Sequence, residues 1–321
     1  MTPSQVDTHA APEDLTGAVS IRPMLSFLPR PVLFVMMSLG LALNLVFWCV
    51  ALFYPLLLLR LALSFTPLRE HLASLLVKIG EQWIHGNNLL MALMLDLSWD
   101  VQIEGELRTD ESYLVGCNHQ SWIDILVLQR TLASVAPFPR FFIKQQLIWV
   151  PLLGLVWWGL DFPFMKRYGR EYLEKHPEKR GMDMEATRRA CAHFKVRPVT
   201  LINFFEGTRF TDGKQRSQQS PYAQLLRPKA GGAAFALAAM DGAIEKLLDV
   251  TIHYPTGRTR FLDLLFDRVK AIRVHVRVLD IPQALLQGDY AEDAKYRERF
   301  QDWVTEMWQE KQRTLERLGA A

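Results

Sequence analysis

Apolar residues first accumulate near the N-terminus, where no charge occurs from Pro31 to Leu59. About 20 apolar residues span the core of a bilayer, so a run of this length can cross with tilt. The run begins too late for a signal peptide, and no small-residue cleavage site follows it. The pattern predicts a membrane-embedded helical segment, either one span or a hairpin that returns near Pro55. Residues 1–30 combine four prolines with scattered polar residues, and we predict a mobile tail there.

Residues 68–98 show apolar positions at helical spacing, with charged residues on the other faces. A helix buried in a protein core and a helix lying on a membrane surface both fit this pattern. We therefore assign residues 31–99 to a membrane-associated helical segment.

Short apolar runs alternate with helical patterns from residue 100 to the end of the chain. Such alternation is typical of an α/β domain, in which helices cover both faces of a largely parallel or mixed sheet. We predict one such domain over residues 100–321. Its predicted strands include Tyr113–Cys117, Val199–Phe205, Leu248–Tyr254 and Ile272–Ile281, and its predicted helices include Ser121–Arg130, Arg170–His176, Met182–Lys195 and Gly231–Met240.

Composition narrows the classes of function. The chain of 321 residues is 50% hydrophobic, and its 37 basic against 34 acidic side chains give a net charge of +3. This excludes a disordered chain and argues against a nucleic-acid partner, because the basic excess is small. The three cysteines have no paired spacing, so neither a disulfide framework nor a cysteine zinc site is indicated. A reducing, cytosol-facing compartment is the simplest interpretation.

The first stretch that carries chemistry is the segment from Asn118 to Asp124. A carboxylate five positions after His119 could hold one imidazole nitrogen and leave the other free to take a proton. The spacing alone is uninformative, since His9–Asp14 and His275–Asp280 share it. Here, however, the histidine follows a strand, and Ser121 with Asp124 has the form of a capping box that opens a helix. The alternative is that Asp124 only caps the helix and His119 has no function.

A second stretch, Phe204–Arg209, lies at the end of a buried strand, where ligands bind in α/β sheets. Five basic residues and one acid follow between Gly207 and Gly232. Arginine suits bidentate recognition of phosphate, and a glycine-containing turn adds backbone donors. Lys166-Arg167 after a short strand, and Lys229 before a glycine-rich helix start, are weaker signals of the same kind. The alternative is a solvated basic loop.

Taken in order, these stretches resemble the glycerophospholipid acyltransferases. The pattern comprises Asn-His-x-Ser-x-x-Asp at 118–124, Phe-Met-x-Arg at 164–167, Phe-Phe-Glu-Gly-Thr-Arg at 204–209 and an apolar strand that ends in Pro255. The resemblance covers roughly residues 100–282 and is greatest to the 1-acylglycerol-3-phosphate O-acyltransferases. Lys144, Pro151 and Gly154 also fit the family frame. The last motif departs from the family pattern, because only its terminal proline is present, and this leaves the acyl-chain pocket and the acceptor open.

The resemblance implies a role for each matching residue. His119 resembles the family's general base and Asp124 its orienting acid. The residues that it implies for substrate binding are Asn118, Ser121, Lys144, Arg167, Glu206, Gly207, Thr208, Arg209 and Lys229. Neither a metal nor a cofactor is expected.

The implied reaction moves an acyl group from acyl-CoA or acyl carrier protein to the hydroxyl of a lysophospholipid, most simply 1-acylglycerol-3-phosphate. Other acceptors, such as another lysophospholipid, glycerol 3-phosphate or an aminolipid, and a silent lipid-binding scaffold are the alternatives. Basic residues are slightly more numerous after the apolar run than before it, which favours a C-terminal domain in the cytoplasm. We expect an inner-membrane protein with its catalytic domain on that side.

Overall fold

The computed structural model describes residues 23–165, 191, 194, 197–290 and 292–320. Its strands are β1 Ser98–Glu104, β2 Tyr113–Cys117, β3 Pro139–Phe141, β4 Ile143–Lys144, β5 Phe164–Met165, β6 Thr200–Phe204, β7 Lys246–His253 and β8 Ala271–Asp280. Six of them form one sheet in the order β1-β8-β7-β2-β6-β3, and β4 pairs with β5. The strands β3, β6, β2 and β7 are parallel, whereas β8 and β1 run the opposite way. This is the mixed, largely parallel sheet that the sequence predicts.

Helices cover both faces of the sheet. They are α1 Arg30–Val46, α2 Tyr54–Ala62, α3 Leu68–Met94, α4 Ile123–Leu132, α5 Leu153–Gly159, α6 Asp212–Ser217, α7 Ala230–Met240, α8 Phe261–Leu265, α9 Gln283–Leu286 and α10 Ala294–Ala320. Side chains of a strand alternate between the two faces, so Leu114 packs among α7, α9 and α10, while Val115 packs among α1, α3, α4 and α8. The two helices predicted within 170–195 lie outside the described residues, apart from isolated positions.

The charge-free run forms one helix without a reversal. Helices α1 and α2 are joined through a stretch of π-type hydrogen bonding, Phe47–Phe53, into a helix over Arg30–Ala62, which we call the N-terminal helix. Of the helices in the described part of the chain, this one alone is long and apolar enough to cross a membrane, with a mean hydropathy of 2.2. The chain does not turn back at Pro55. It reverses only after Ala62, into α3.

Helix α3 packs along the N-terminal helix. Asn44 fastens the pair, since its side-chain amide donates to the Trp83 carbonyl at 3.0 Å and to the Asn87 side chain at 2.9 Å. Gly86 makes room, because a Cβ there would lie 2.4 Å from the Asn44 side-chain oxygen. Of the two alternatives for residues 68–98, the structure therefore shows a helix with one face in the core.

The helical segment and the α/β domain share one core, which changes the predicted division of the chain. Leu33 and Met37 of α1 and Met91 of α3 are buried in the same cluster as Val115 of the sheet. Residues 23–29, assigned to the tail from sequence, also pack there, and the Leu25 N–H donates to a carbonyl of α3 at 3.1 Å. Boundaries at 30 and 99 therefore do not separate independently packed units.

The tryptophan-rich stretch between β4 and β5 is two short helices instead of the one that its pattern predicts. A 3₁₀ turn spans Gln145–Trp149, and α5 follows it after a bend at Leu152, whose φ is 63°. The second helix folds back so closely that a Cβ at Gly154 would lie 1.9 Å from the Ile148 carbonyl oxygen. Glycine is therefore required at this position.

Candidate active site

The candidate site lies where three neighbouring parallel strands end. Cys117, the last residue of β2, pairs with Phe204 of β6 on one side and with Val250 of β7 on the other. The residues that leave these strands therefore emerge at the same edge of the sheet. Asparagine and histidine follow β2, the glutamate-glycine turn follows β6, and Tyr254 follows β7.

His119 and Asp124 are in direct contact. The imidazole Nδ1 lies 2.8 Å from the carboxylate Oδ2, with the carboxylate fully buried and the histidine side chain 13% exposed. With the carboxylate ionised, Nδ1 carries the proton and donates it, which leaves Nε2 as the acceptor. The helix begins at Ile123, two residues later than predicted, so the histidine lies in the preceding loop and the aspartate in the first turn.

Asp124 also holds the loop that carries the histidine. Its Oδ2 accepts the backbone N–H groups of Gln120 at 2.7 Å and Ser121 at 2.9 Å. We expected free N–H groups near Ser121 that could stabilise an oxyanion. This expectation is wrong for Gln120 and Ser121, because the carboxylate has taken both of their donors.

The histidine ring is fixed from a second direction. It stacks on Phe204 with ring centroids 3.9 Å apart and an angle of 19° between the planes. The His119 carbonyl accepts the backbone N–H of Phe210 at 2.7 Å, which ties this loop to the loop after β6. Stacking and the carboxylate bond together restrict the ring to one orientation.

Glu206 is buried, which differs from the substrate-binding role that the resemblance implies. Its carboxyl oxygens accept the backbone N–H of His119 at 3.1 Å and of Leu226 at 3.3 Å. Burial raises the pKa of Glu206 to about 8. The side chain braces the loops around the histidine from inside the protein.

Asn118 and Ser121 likewise bond within the protein. The Asn118 side chain donates to the Ile252 carbonyl and accepts its N–H, both at 2.9 Å, and is fully buried. The Ser121 hydroxyl oxygen accepts the Ile123 N–H at 3.2 Å at the start of α4. These contacts align strand β7 with the histidine loop, and they leave neither side chain facing a substrate.

Basic side chains surround the turn after β6. Gly207 adopts a φ of 67°, and a Cβ there would contact the side chain of Lys229 at 3.4 Å. Thr208 accepts the Lys214 ammonium at 2.6 Å, which the Arg209 carbonyl also accepts at 3.0 Å. The exposed Arg209 and Lys229 side chains therefore flank the same turn.

The Arg209 guanidinium lies over the ring of Trp122, 4.8 Å from its centroid, and this tryptophan is 55% exposed just before α4. The carboxylates considered as partners for this arginine bond elsewhere. Asp212 forms an ion pair with Arg258, and Glu206 accepts backbone donors. The guanidinium is thus held next to the histidine loop by an aromatic ring.

Two predicted substrate-binding residues are less well placed by the structure. Lys144 is exposed at the end of β4, where it pairs with Met165. Arg167 follows Met165 by two residues and lies outside the described residues. The predicted convergence of Arg167 and Arg209 on one phosphate therefore stays a prediction.

Three contributors to the site were missed from sequence. Tyr254 donates its hydroxyl to Asp124 Oδ1 at 2.6 Å. Trp308 of α10 stacks on Phe205 and donates to the Leu226 carbonyl at 2.9 Å. Lys311 of the same helix is fully buried and contacts Asp249 at 2.5 Å. Only the tyrosine had a signal, since it ends a parallel strand next to β2.

Within the described residues, no group of three or more His, Cys, Asp or Glu side chains could hold a metal ion. The chemistry at this edge is that of one imidazole, its carboxylate and a basic rim.

Comparison with known proteins supports the motif resemblance. Residues 99–254 match the model of the Acyltransferase family, which confirms that this part of the chain is an Acyltransferase-family domain. The match begins in β1 and ends at Tyr254, so it contains the whole edge of the sheet described above.

Curated relatives are distant but consistent. The chain is 26% identical over 246 residues to human 1-acyl-sn-glycerol-3-phosphate acyltransferase gamma, and 23% identical over 246 residues to the 2-acyl-1-lysophosphatidylinositol acyltransferase of Saccharomyces cerevisiae. These matches cover 70% and 63% of this chain. The chain spans about 60% of the length of these relatives.

One solved structure supports the fold. The crystal structure of the 1-acyl-sn-glycerophosphate (LPA) acyltransferase PlsC from Thermotoga maritima superposes with a TM-score of 0.50 at 21% identity. It covers 91% of this chain and 98% of the other. This likeness confirms the predicted mixed α/β fold.

Proposed function

We propose that this chain is an O-acyltransferase that esterifies the free hydroxyl of a lysophospholipid, with 1-acylglycerol-3-phosphate as the first candidate acceptor. The observation that carries the proposal is the partly exposed His119, bonded to the buried Asp124 at 2.8 Å beside the exposed Arg209. A base and a basic rim at one strand edge match an acceptor that has both a hydroxyl and a phosphate.

In the proposed reaction the acceptor oxygen attacks the carbonyl carbon of an acyl thioester while His119 Nε2 takes the hydroxyl proton. Asp124 stabilises the imidazolium and keeps the proton on Nδ1 before the attack. The tetrahedral intermediate then collapses, the carbon–sulfur bond breaks, and the leaving thiolate receives the proton from Nε2. The products are an ester and a free thiol, and no acyl-enzyme is formed.

The acceptor phosphate is proposed to bind the Arg209 guanidinium, whose planar fork suits phosphate oxygens. Lys229 adds a second positive charge across Gly207. The names of several relatives, including those of human and mouse, specify 1-acyl-sn-glycerol-3-phosphate. A lysophosphatidylinositol is the second candidate, since the yeast relative carries that name.

The test is a thiol-release assay on the purified full chain in mixed micelles. Acyl-CoA and acyl carrier protein thioesters serve as donors, and lysophosphatidate, lysophosphatidylinositol and glycerol 3-phosphate as acceptors. We expect the highest kcat/KM with lysophosphatidate. A faster reaction with another acceptor would reassign the substrate. Absence of transfer to every acceptor would favour the scaffold alternative.

We also propose that the N-terminal helix holds the protein on the membrane. One face of this helix packs on the domain along its length, whereas the opposite face exposes large apolar side chains: Val35, Leu39, Leu43, Val50 and Leu58. The charge-free stretch 145–160 docks beside it, through a hydrogen bond from Tyr54 to the Leu152 carbonyl at 2.6 Å and from Arg60 to the Gly159 carbonyl at 2.8 Å. That stretch exposes Trp149 to 85%.

A truncation near Trp99 would strip α1 and α3 from the shared core, so point labelling is the cleaner test. The three native cysteines are buried, which makes an introduced cysteine selectively reactive. A fluorophore on Trp149→Cys should be quenched by spin-labelled lipid in vesicles. The control is Arg313→Cys on α10, which covers the other face of the sheet. Equal quenching at both positions would refute this membrane contact.

The catalytic domain is proposed to face the cytoplasm of a bacterial-type inner membrane, because acyl-CoA and acyl carrier protein are cytosolic. A reporter fused after Ala321 tests the orientation in cells. Activity of a reporter that works only outside the cytoplasm would overturn it.

A further inference from the structure

Tyr254 makes a contact that the proposed reaction has not used. Its hydroxyl lies 2.6 Å from Asp124 Oδ1, the carboxylate oxygen that faces away from the imidazole, and the whole side chain is buried. Tyr254 follows strand β7 directly and precedes Pro255. The two residues are 130 positions apart, so the contact depends on the parallel pairing of β7 with β2.

The hydroxyl is the donor in this bond. Burial and the neighbouring Asp124 raise the pKa of Tyr254 well above its usual value, so the phenol keeps its proton at neutral pH. The carboxylate thus accepts the imidazole and two backbone N–H groups on Oδ2, and the phenol on Oδ1.

We infer that Tyr254 is a positioning residue that sets how strongly Asp124 acts on the base, His119. The inference rests on the proposed function. A donor on Oδ1 withdraws negative charge from Oδ2 and also fixes the plane of the carboxylate, because Oδ1 then has one preferred direction. Without it, the carboxylate holds its charge more tightly toward the imidazole and stabilises the imidazolium more strongly. The base is then lost to protonation at a higher pH.

Other charged groups near this cluster were compared as sources of the same effect. Cys117 and Asp124 act electrostatically on Tyr254, and Asp124 and Lys311 act on Glu206. A Tyr254→Phe substitution leaves these side chains unchanged and removes one oxygen. Its effect therefore reports the hydrogen bond.

Tyr113 supplies a matched control. It is also fully buried, and its hydroxyl also donates to a carboxylate, that of Glu111 at 3.1 Å. It lies at the first residue of β2, whereas His119 follows the last. Tyr113→Phe therefore removes an equivalent hydroxyl at the opposite end of the strand.

Two readouts separate this inference from the proposed function. The first is carbethoxylation of His119, followed by mass spectrometry against pH, which reports the unprotonated imidazole without any substrate. We expect Tyr254→Phe to move the midpoint upward by about half a pH unit, with no shift in Tyr113→Phe. The second is the kinetics of acyl transfer. There kcat should fall about tenfold, the factor of 1.36 kcal/mol in a barrier, with KM for both substrates unchanged.

A chain that transfers no acyl group while the carbethoxylation midpoint still shifts would remove the proposed function and leave the positioning role standing. An unchanged midpoint together with an unchanged kcat in Tyr254→Phe would overturn the positioning role. If this variant does not fold, 3-fluorotyrosine at position 254 is the second test, since a more acidic phenol donates more strongly. It should move the midpoint downward, and an upward or absent shift would contradict the inference.

Discussion

Replacing Asp124 by asparagine tests the acid–base assignment with little change in shape. The carboxylate accepts three donors on Oδ2, from His119, Gln120 and Ser121 at 2.7–2.9 Å, and Tyr254 on Oδ1. An asparagine can turn its single oxygen toward the three donors and its amide toward the tyrosine oxygen, which is able to accept. The local hydrogen bonds are then kept while the negative charge is lost.

The magnitudes expected for activity and for stability differ. A neutral amide neither stabilises the imidazolium nor enforces the tautomer with the proton on Nδ1, so kcat should fall by ~10²–10⁴. The four hydrogen bonds lose their charge assistance, and we expect the free energy of unfolding to fall by about 1–3 kcal/mol. The opposite amide orientation would leave three donors facing an NH₂ group and would cost more than this.

Initial rates of thiol release at saturating donor and acceptor give kcat, and thermal unfolding in the same detergent gives the stability. Asp267→Asn is the control. Asp267 is a buried carboxylate that accepts the Asp96 N–H at 2.9 Å just before β8, and its φ of 53° is one that asparagine tolerates. It should lose stability without a comparable loss of kcat. An Asp124→Asn enzyme with the wild-type fold and a kcat within threefold of wild type would refute the reasoning.

Three further predictions concern the same site. His119→Ala should lower kcat at least ~10²-fold with unchanged circular dichroism, because no other base replaces it; a purified variant with full activity would remove the catalytic assignment. Arg209→Lys should raise KM for lysophosphatidate about tenfold and leave KM for the thioester unchanged, since an ammonium cannot reproduce the planar fork; the control is the exposed Arg216→Lys, and equal KM values in the two variants would argue against a phosphate contact. Glu206 has a pKa of about 8 in the folded state against 4.5 as a model value, so the folded state binds more protons between these values. The stabilising contribution of the protonated form is complete below pH 4.5 and is lost as the pH rises through 8, at roughly 1.4 kcal/mol per unit. Glu206→Gln should flatten this decline in unfolding measurements at pH 5, 6.5 and 8, and an unchanged slope would show that another group causes it.

The sequence by itself determined the features that depend on neighbouring residues. A charge-free run must form a long helix, because its backbone groups then bond within the segment, and Arg30–Ala62 is one helix. The loop before a helix start also follows from local pattern, and it brings His119 against Asp124 within five positions. Alternating strands and helices predicted the mixed α/β fold in the same way.

The tertiary structure decided which side chains face inward and which distant residues meet. Glu206 lies in a motif expected to bind the acceptor, yet the loops that close over it bury its carboxyl. Tyr254 reaches Asp124 and Lys311 reaches Asp249 only because particular strands are neighbours and α10 crosses them. Helical periodicity repeats every few residues, whereas pairing across a sheet joins segments more than a hundred residues apart, and only the packing of the whole core selects the partner.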